Sequence, residues 1–343
     1  MMEQRRFGRT DLRVPVIGFG CGMVGGLMVD GGAKEQAEAV AHALDLGIDY
    51  FDTAPFYGAG KSEANLGQAL KQLGRRATIG TKVRIEPATR DDPAQAARIG
   101  SLIRESVESS LARLHTDCLD LLQLHNPISP TRLGSGLTPD TLRDQVVPTF
   151  QALVKEGKVR YLGFSALGDT PSVNEMLDAG WFDTAQVSYS LLDPSSGNAA
   201  AAAADNDRLL SRTRRGDAGV IGIRLLAGGS LSGTLERHPT ALPKVVAMGQ
   251  GVGSGHDYAR DVACAQEFGF LVHEGLARSL VGAALRFGMS NRSIHTLAIG
   301  FSSRAQLQEA ADNATDGTFD PVTLERIAEV QSRLGLDSGV PSP

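Results

Sequence analysis

An α/β fold of eight strand–helix repeats is predicted by three features of this chain. Short apolar runs of five to seven residues alternate along its length with longer amphipathic stretches, the pattern of βα units. The runs number eight, which is the count of a closed (β/α)8 TIM barrel. They are apolar nearly throughout, as strands buried on both faces are. An open doubly wound sheet shares that last trait and stays an alternative.

The elements follow in order. In Arg6–Val14 a Gly8-Arg9-Thr10-Asp11 turn joins two β-rich pieces, a short N-terminal β-hairpin that could plug the barrel bottom. Val16–Cys21 is the first strand and Ala33–Leu46 its helix. Next come Tyr50–Ala54 with Glu63–Leu73, Thr78–Val83 with Ile99–Leu114, and Leu119–His125 with Asp144–Glu156. The second half gives Tyr161–Ala166 with Pro171–Ala179, Thr184–Tyr189 with Asn206–Arg215, Val220–Leu225 with Ala277–Phe287, and Thr296–Phe301 with Arg304–Ala311. A long insertion, 227–276, follows the seventh strand, and its Gly-, Ser- and Pro-bearing part is Ala227–Gly255. Connections of that length are usually functional. The amphipathic Pro321–Leu334 lies in a C-terminal helical extension, 319–343. One domain over residues 1–343 is expected.

Composition excludes several classes. With 42% hydrophobic and 21% charged residues the chain is an ordinary globular sequence, not a disordered one. A net charge of −5 argues against a nucleic-acid partner or an anionic membrane surface. Cys21, Cys118 and Cys264 are scattered without a C-x-x-C, so no disulfide framework and no metal site is implied. No apolar run approaches the ~18 residues of a membrane span, and the N-terminus lacks the apolar stretch of a signal peptide. A cytoplasmic location is the expectation. The 40 glycines concentrate in two places, seven in 18–32 and nine in 219–255.

Three motifs invite a nucleotide or nucleophile reading and fail. Gly20-Cys21-Gly22-Met23-Val24-Gly25 spells G-x-G-x-x-G after a strand, but loop residues 26–32 stand where a dinucleotide fold opens its helix. Gly60-Lys61-Ser62 resembles the end of a P-loop, but Pro55 occupies the position of its first glycine. Gly163-Phe164-Ser165-Ala166-Leu167 lacks the second glycine of a nucleophile elbow.

One constellation holds. Asp52 closes the second strand with Tyr57 five residues later, Lys82 closes the third, and His125 the fourth. In a βα barrel the carboxyl ends of neighbouring strands converge on one face. A lysine cation beside a tyrosine favours the phenolate and lowers its pKa. Asp52 balances that lysine, and His125 is placed to hydrogen-bond a carbonyl. Together they make a proton donor aimed at an oxygen becoming an alkoxide. Taken singly, Asp52 and Lys82 could be a packing ion pair, and Tyr57 a surface loop aromatic.

These residues carry a resemblance. Asp52-Thr53-Ala54-Pro55-Phe56-Tyr57-Gly58 with Glu63 and Leu66-Gly67 resembles the signature of the aldo-keto reductases. Gly80-Thr81-Lys82-Val83, Leu122-Gln123-Leu124-His125-Asn126-Pro127, Lys158–Ser165 and Gln186-Val187-Ser188-Tyr189 continue it, over about residues 6 to 315. The spellings resemble most the sugar (galactose- or fucose-like) dehydrogenase branch.

The resemblance implies an NAD(P)(H)-dependent oxidoreductase without a metal, acting on a small carbonyl or sugar substrate. Tyr57 is then the general acid/base, Lys82 its partner, Asp52 the partner of Lys82, and His125 the carbonyl orienter. Ser165 and Gln186 fall where the family binds the nicotinamide carboxamide, with Gly20 and Cys21 at the same mouth and Asp52 beneath. Ile223 stands where many members place a tyrosine under the nicotinamide, with Arg224 next. Leu226 and Gly228 lie over the pyrophosphate. Gly300, Ser302, Arg304, Gln306 and Glu309 match the adenosine-phosphate loop. The resemblance favours NADP, yet Arg304 is the one base in that loop, which leaves NAD a rival. Arg224, Asn126 and His256 are candidates for substrate hydroxyls. The alternative is a redox-sensing barrel with little turnover, like the family's channel-associated subunits. A barrel lyase or phosphosugar isomerase would need a Schiff-base lysine or glutamate base instead.

Overall fold

The computed structural model describes residues 2–91, 96–131, 135–197, 209–241 and 258–336. Strands β1 (Gln4–Arg6) and β2 (Arg13–Pro15) pair as an antiparallel hairpin. The next eight strands are β3 (Ile17–Gly20), β4 (Tyr50–Asp52), β5 (Thr78–Val83), β6 (Leu119–Leu124), β7 (Val159–Ser165), β8 (Thr184–Ser188), β9 (Gly219–Ile223) and β10 (Thr296–Gly300). All pair in parallel and in sequence order, and β10 closes on β3. The barrel is closed, which settles the choice against an open sheet.

Each strand is followed by a helix: α1 (Ala33–Asp45), α2 (Lys61–Leu73), α3 (Ile99–Leu114), α4 (Val147–Lys155), α5 (Thr170–Asp178), α6 (Leu209–Arg215), α7 (Leu280–Ser290) and α8 (Arg304–Ala314). Their apolar stripes pack on the outer faces of the strands in one continuous core that includes Phe51, Leu66, Ile103, Phe150, Phe164 and Leu285. The helices begin on identifiable caps. Ser279 accepts from Gly282 N at the start of α7 and Asp169 from Ser172 N at the start of α5. A π-helical turn, Leu142–Val146, precedes α4.

Inside the barrel a second cluster joins Phe7, Leu12 and Val14 of the hairpin region to Tyr50, Leu121 and Ile221. Phe7 lies 6.1 Å from the Tyr50 ring and is fully buried, so the hairpin seals the bottom. Fully burying such side chains is worth about 1.5–3 kcal/mol each. Tyr50 fills the centre because Gly80 faces it: a Cβ there would stand 2.6 Å from the Tyr50 hydroxyl.

Most strands end one or two residues earlier than the sequence pattern suggests, which leaves His125 and Arg224 just past their ladders. His125 follows β6 directly, its backbone N–H still bonded to Val83 O at 2.8 Å. Arg224 follows β9 in the left-handed region, φ 60°. Two helices within the insertion, Tyr258–Gln266 and Phe270–His273, were not expected from its loop-like composition. Helix Pro321–Arg333 packs outside, Gln331 donating to Leu191 O at 3.0 Å. The alanine run 199–204, residues 242–255 of the insertion and His256 lie outside the described residues. Among the described residues no helix is long and apolar enough to cross a membrane.

Candidate active site

Register places the site. Gly20, Asp52 and Gly80 form one row across β3, β4 and β5, and Gly300 pairs with Gly20. Lys82 pairs with Gln123, and Ser165 with Gln186. Lys82 is therefore two residues nearer the open end than Asp52, and its side chain reaches back to it. Nζ donates to Asp52 Oδ1 at 2.5 Å and to Thr53 O at 2.8 Å, with 1% of the residue exposed.

The other carboxylate oxygen of Asp52 is a hub. Oδ2 accepts from Gln186 Nε2 at 2.7 Å, Gln123 Nε2 at 3.1 Å and, at a longer 3.4 Å, the Tyr50 hydroxyl. Such donors satisfy the oxygens of a buried carboxylate. Gln123 and Tyr50 were missed by the sequence reading, although Gln123 is a polar residue inside an otherwise leucine-rich strand, which is a usable signal.

Tyr57 reaches this hub from the β4–α2 loop. Gly58, Ala59 and Gly60 are all left-handed (φ 60°, 53° and 91°), so the chain doubles back directly after Tyr57. The Lys82 ammonium sits 4.8 Å from the Tyr57 ring centroid. His125 meets Tyr57 edge-on at 6.0 Å and 87°, and Phe56 at 6.5 Å. All four predicted side chains are thus brought together.

Electrostatics divide the group. Burial raises the Tyr57 hydroxyl above its ordinary value, and the lowering pull of Lys82, the one effect visible in the sequence, does not fully offset it. Burial alone would lower Lys82, but Asp52 and Tyr57 hold it above the ordinary lysine value. Burial, with Lys82, Arg84 and Arg224 nearby, pushes His125 down to about 3. It is a neutral imidazole at physiological pH, and its Nδ1 is buried without a hydrogen-bond partner among the described residues.

The remaining predicted residues are distributed as follows. Ser165 Oγ donates to Gln186 Oε1 at 3.3 Å, extending the chain of bonds to Asp52, and both residues are buried. Cys21 is 1% exposed, its thiol 3.7 Å from Phe19 O and within the fields of Asp52 and Lys82. Burial raises that thiol's pKa strongly. Asn126 is spent on the scaffold. It bonds both backbone groups of Ile85 and also Ser135 O, all at 2.8 Å, which removes it as a substrate-hydroxyl ligand.

Ile223 ends β9, half-buried against the barrel interior. Beyond it Ala227, Gly228 and Gly229 are left-handed (φ 47°, 68° and 106°). Leu226 O accepts from Gly229 N, and Arg237 donates to Gly228 O at 2.6 Å. Beside it the β10 and β3 loops pack backbone to backbone. A Cβ at Gly25 would stand 2.4 Å from Phe301 N, and Ser302 Oγ donates to Gly25 O at 2.6 Å. Gln306 Oε1 accepts from Ser302 N at 2.8 Å. Arg304 is exposed beside Glu38 of α1, 3.3 Å away. Glu309 accepts from Ser279 Oγ at 3.3 Å.

Residues 16–332 match the Aldo/keto reductase family. The chain belongs to that family. It is an oxidoreductase of the NAD(P)-dependent reductase and dehydrogenase class. It is 25% identical over 345 residues to the L-galactose dehydrogenase of Arabidopsis thaliana, covering 97% of this chain and 94% of that one. Among solved structures it resembles the holo form of aldo-keto reductase AKR11C1 from Bacillus halodurans, with a TM-score of 0.71 and 25% identity over 96% of both chains. It shares its fold with the glycerol dehydrogenase AKR11B4 of Gluconobacter oxydans, with a TM-score of 0.72 and 22% identity, covering 99% and 97% of the two chains.

Proposed function

We propose that this aldo-keto reductase interconverts a small aldehyde, ketone or sugar C1 carbonyl with its alcohol, Tyr57 giving or taking the proton. The observation that carries the reading is Lys82, buried between the Asp52 carboxylate at 2.5 Å and the Tyr57 ring at 4.8 Å. When bound, the nicotinamide supplies or accepts the hydride at the carbonyl carbon. Tyr57 protonates the oxygen as it gains charge, and Lys82 eases that loss of a proton by favouring the phenolate. Neutral His125 holds the same oxygen by a hydrogen bond. Asp52, braced by Gln186, Gln123 and Tyr50, fixes the lysine.

Two tracts suit a dinucleotide. Ser165 and Gln186 offer amide-matching groups beside the hub, and the tight left-handed turn at 227–229 brings backbone to the mouth without bulky side chains at Gly228 and Gly229. Gly20, Gly25 and Gly300 let the β3 and β10 loops close on each other at this side of the mouth. The 2′-phosphate of NADP has Arg304 as its one cation in the β10 loop, and Glu38 competes for it. We propose that this pair keeps both NADH and NADPH acceptable.

The test is steady-state reduction of aldehyde, ketone and aldose panels with each nucleotide. Tyr57→Phe is expected to lose roughly 10²–10⁴-fold in kcat while still binding nucleotide. Full activity in that variant would sink the assignment.

A further inference from the structure

The loop that carries Tyr57 is held from behind, outside the barrel wall. In the first turn of α2, three residues after Gly60, Glu63 is fully buried. Its Oε1 accepts from Thr81 Oγ1 at 2.5 Å. Thr81 precedes Lys82 on β5, so strand alternation turns it outward where Lys82 turns in. Oε2 accepts from Arg113 Nε at 2.7 Å, and Arg113 Nη2 stands equally close. Arg113 comes from the last turn of α3. Gly67 lets the two helices close, because a Cβ there would collide with Arg113 O and the Leu114 backbone.

The arginine also meets the loop itself. A Cβ at Gly60 would lie 3.1 Å from Arg113 Cδ and 3.2 Å from its Nε. The guanidinium stem therefore lies directly against that left-handed residue. Ser62, beside Glu63, ties the same helix start to the neighbouring strand ends. Its Oγ donates to Cys21 O at 2.9 Å and shares a 2.8 Å hydrogen bond with Thr53 Oγ1. Thr53 O is the second acceptor of the Lys82 ammonium. Ser62 N bonds Tyr57 O at 3.3 Å. One helix start thus fixes both the tyrosine loop and the strand ends that hold the lysine.

We propose that Glu63 and Arg113 are positioning residues, whose ion pair braces the Gly58–Gly60 turn and so sets Tyr57 against Lys82 and the substrate oxygen. The brace deepens the proton-transfer reading and rests on it. A shift of about 1 Å imposed from outside a site can cost on the order of 10²-fold in rate. Neither residue lies in the mouth, so substrate and nucleotide binding should be spared.

Arg113 is the accessible member, its side chain 30% exposed. Arg113→Met is expected to lower kcat by about 10–100-fold, with KM and nucleotide Kd within about twofold of wild type. Arg113→Lys keeps a cation on Glu63 and should recover most of the loss. Because Arg113→Met strands a buried charge, the neutral Glu63→Gln/Arg113→Met variant is measured beside it and should show a similar fall in kcat. Position is read separately, by fluorine NMR of protein labelled with 3-fluorotyrosine. Of the five tyrosines, the one whose signal is missing from Tyr57→Phe is Tyr57. That signal should shift or broaden in both methionine variants and return in Arg113→Lys. Wild-type kcat in the double variant overturns the brace, as does an unmoved Tyr57 signal or a lysine variant no better than methionine. So does a fall in nucleotide affinity as large as the fall in kcat, the mark of a barrel loosened as a whole. Should Tyr57→Phe keep full activity, the proton-donor reading fails, and the fluorine signal then decides the brace by itself.

Discussion

Gln186 and Asp52 lie 134 residues apart in sequence and are joined by a 2.7 Å hydrogen bond beneath the Lys82 ammonium. The amide that family resemblance assigns to the nicotinamide thus also holds the carboxylate that holds the lysine. Gln186→Leu separates the two tasks. Removing a hydrogen bond to a buried charge should lower stability by about 1.5–3 kcal/mol, read by urea denaturation of the nucleotide-free protein. Unchanged stability with a weakened nucleotide complex would confine Gln186 to the ligand.

Reduction and oxidation should respond differently to pH. Burial holds the Tyr57 hydroxyl above its ordinary value near 10, so the proton donor stays protonated and reduction should be flat from about pH 6 to 9. Oxidation needs the phenolate and should rise with pH over the same range. With His125 titrating at about 3, the imidazole adds no limb there. Lys82→Met removes a lowering influence on Tyr57 and should depress oxidation more than reduction, measured as kcat/KM in both directions. An acid limb near pH 6.5 that His125→Gln abolishes would contradict this account.

Nucleotide choice should turn on Arg304 and Glu38. Arg304→Ala is expected to weaken NADPH by roughly tenfold relative to NADH, the scale of one charge-assisted contact. Glu38→Gln frees the arginine and should shift preference towards NADPH. Fluorescence titration with both nucleotides reads the ratio, and no change in either variant removes this pair from the phosphate site.

His295 makes an acid-sensitive contribution away from the mouth. Burial, then Arg5 and Arg6, push it down to about 4 against a partial pull from Asp217, and its Nδ1 accepts from Val220 N at 2.9 Å. Its folded pKa is below the unfolded value near 6.5, so the stability it provides is complete above pH 6.5 and is lost as pH falls towards 4. The loss between pH 7 and 5 should be about 2 kcal/mol. Denaturant midpoints should fall over that window, and His295→Gln should flatten the slope.

The barrel was legible because parallel strands buried on both faces write themselves as continuous apolar runs, and eight of them set the count. Strand ends were less so. His125 and Arg224 lie one residue outside their ladders, and periodicity does not record where a hydrogen bond fails. The insertion's helix Tyr258–Gln266 was hidden by the Gly-, Ser- and Pro-bearing segment before it. Tyr57, Lys82, Asp52 and His125 could be grouped from sequence because polar residues ending apolar strands share one face. Contacts across the barrel interior, such as Gln123 and Tyr50 to Asp52, have no sequence period. Nor do pairings between helices, such as Arg304 with Glu38, or the turn of Cys21 inward and Asn126 towards Ile85.

The hairpin that lodges Phe7 against Tyr50 makes the barrel a cup with one rim. Dissolved ions approach the reacting groups from that rim alone. Salt shields charges over a Debye length of roughly 8 Å at physiological strength, but only where mobile ions can enter. Lys82 and Asp52 sit on the dry side, at 1% and 4% exposure, and their attraction should be nearly indifferent to added salt. Arg304 and Glu38, exposed and 3.3 Å apart, stand outside it, where potassium chloride can weaken their pairing. Ionic strength is therefore a dial that turns down recognition at the rim and leaves the chemistry in the cup untouched.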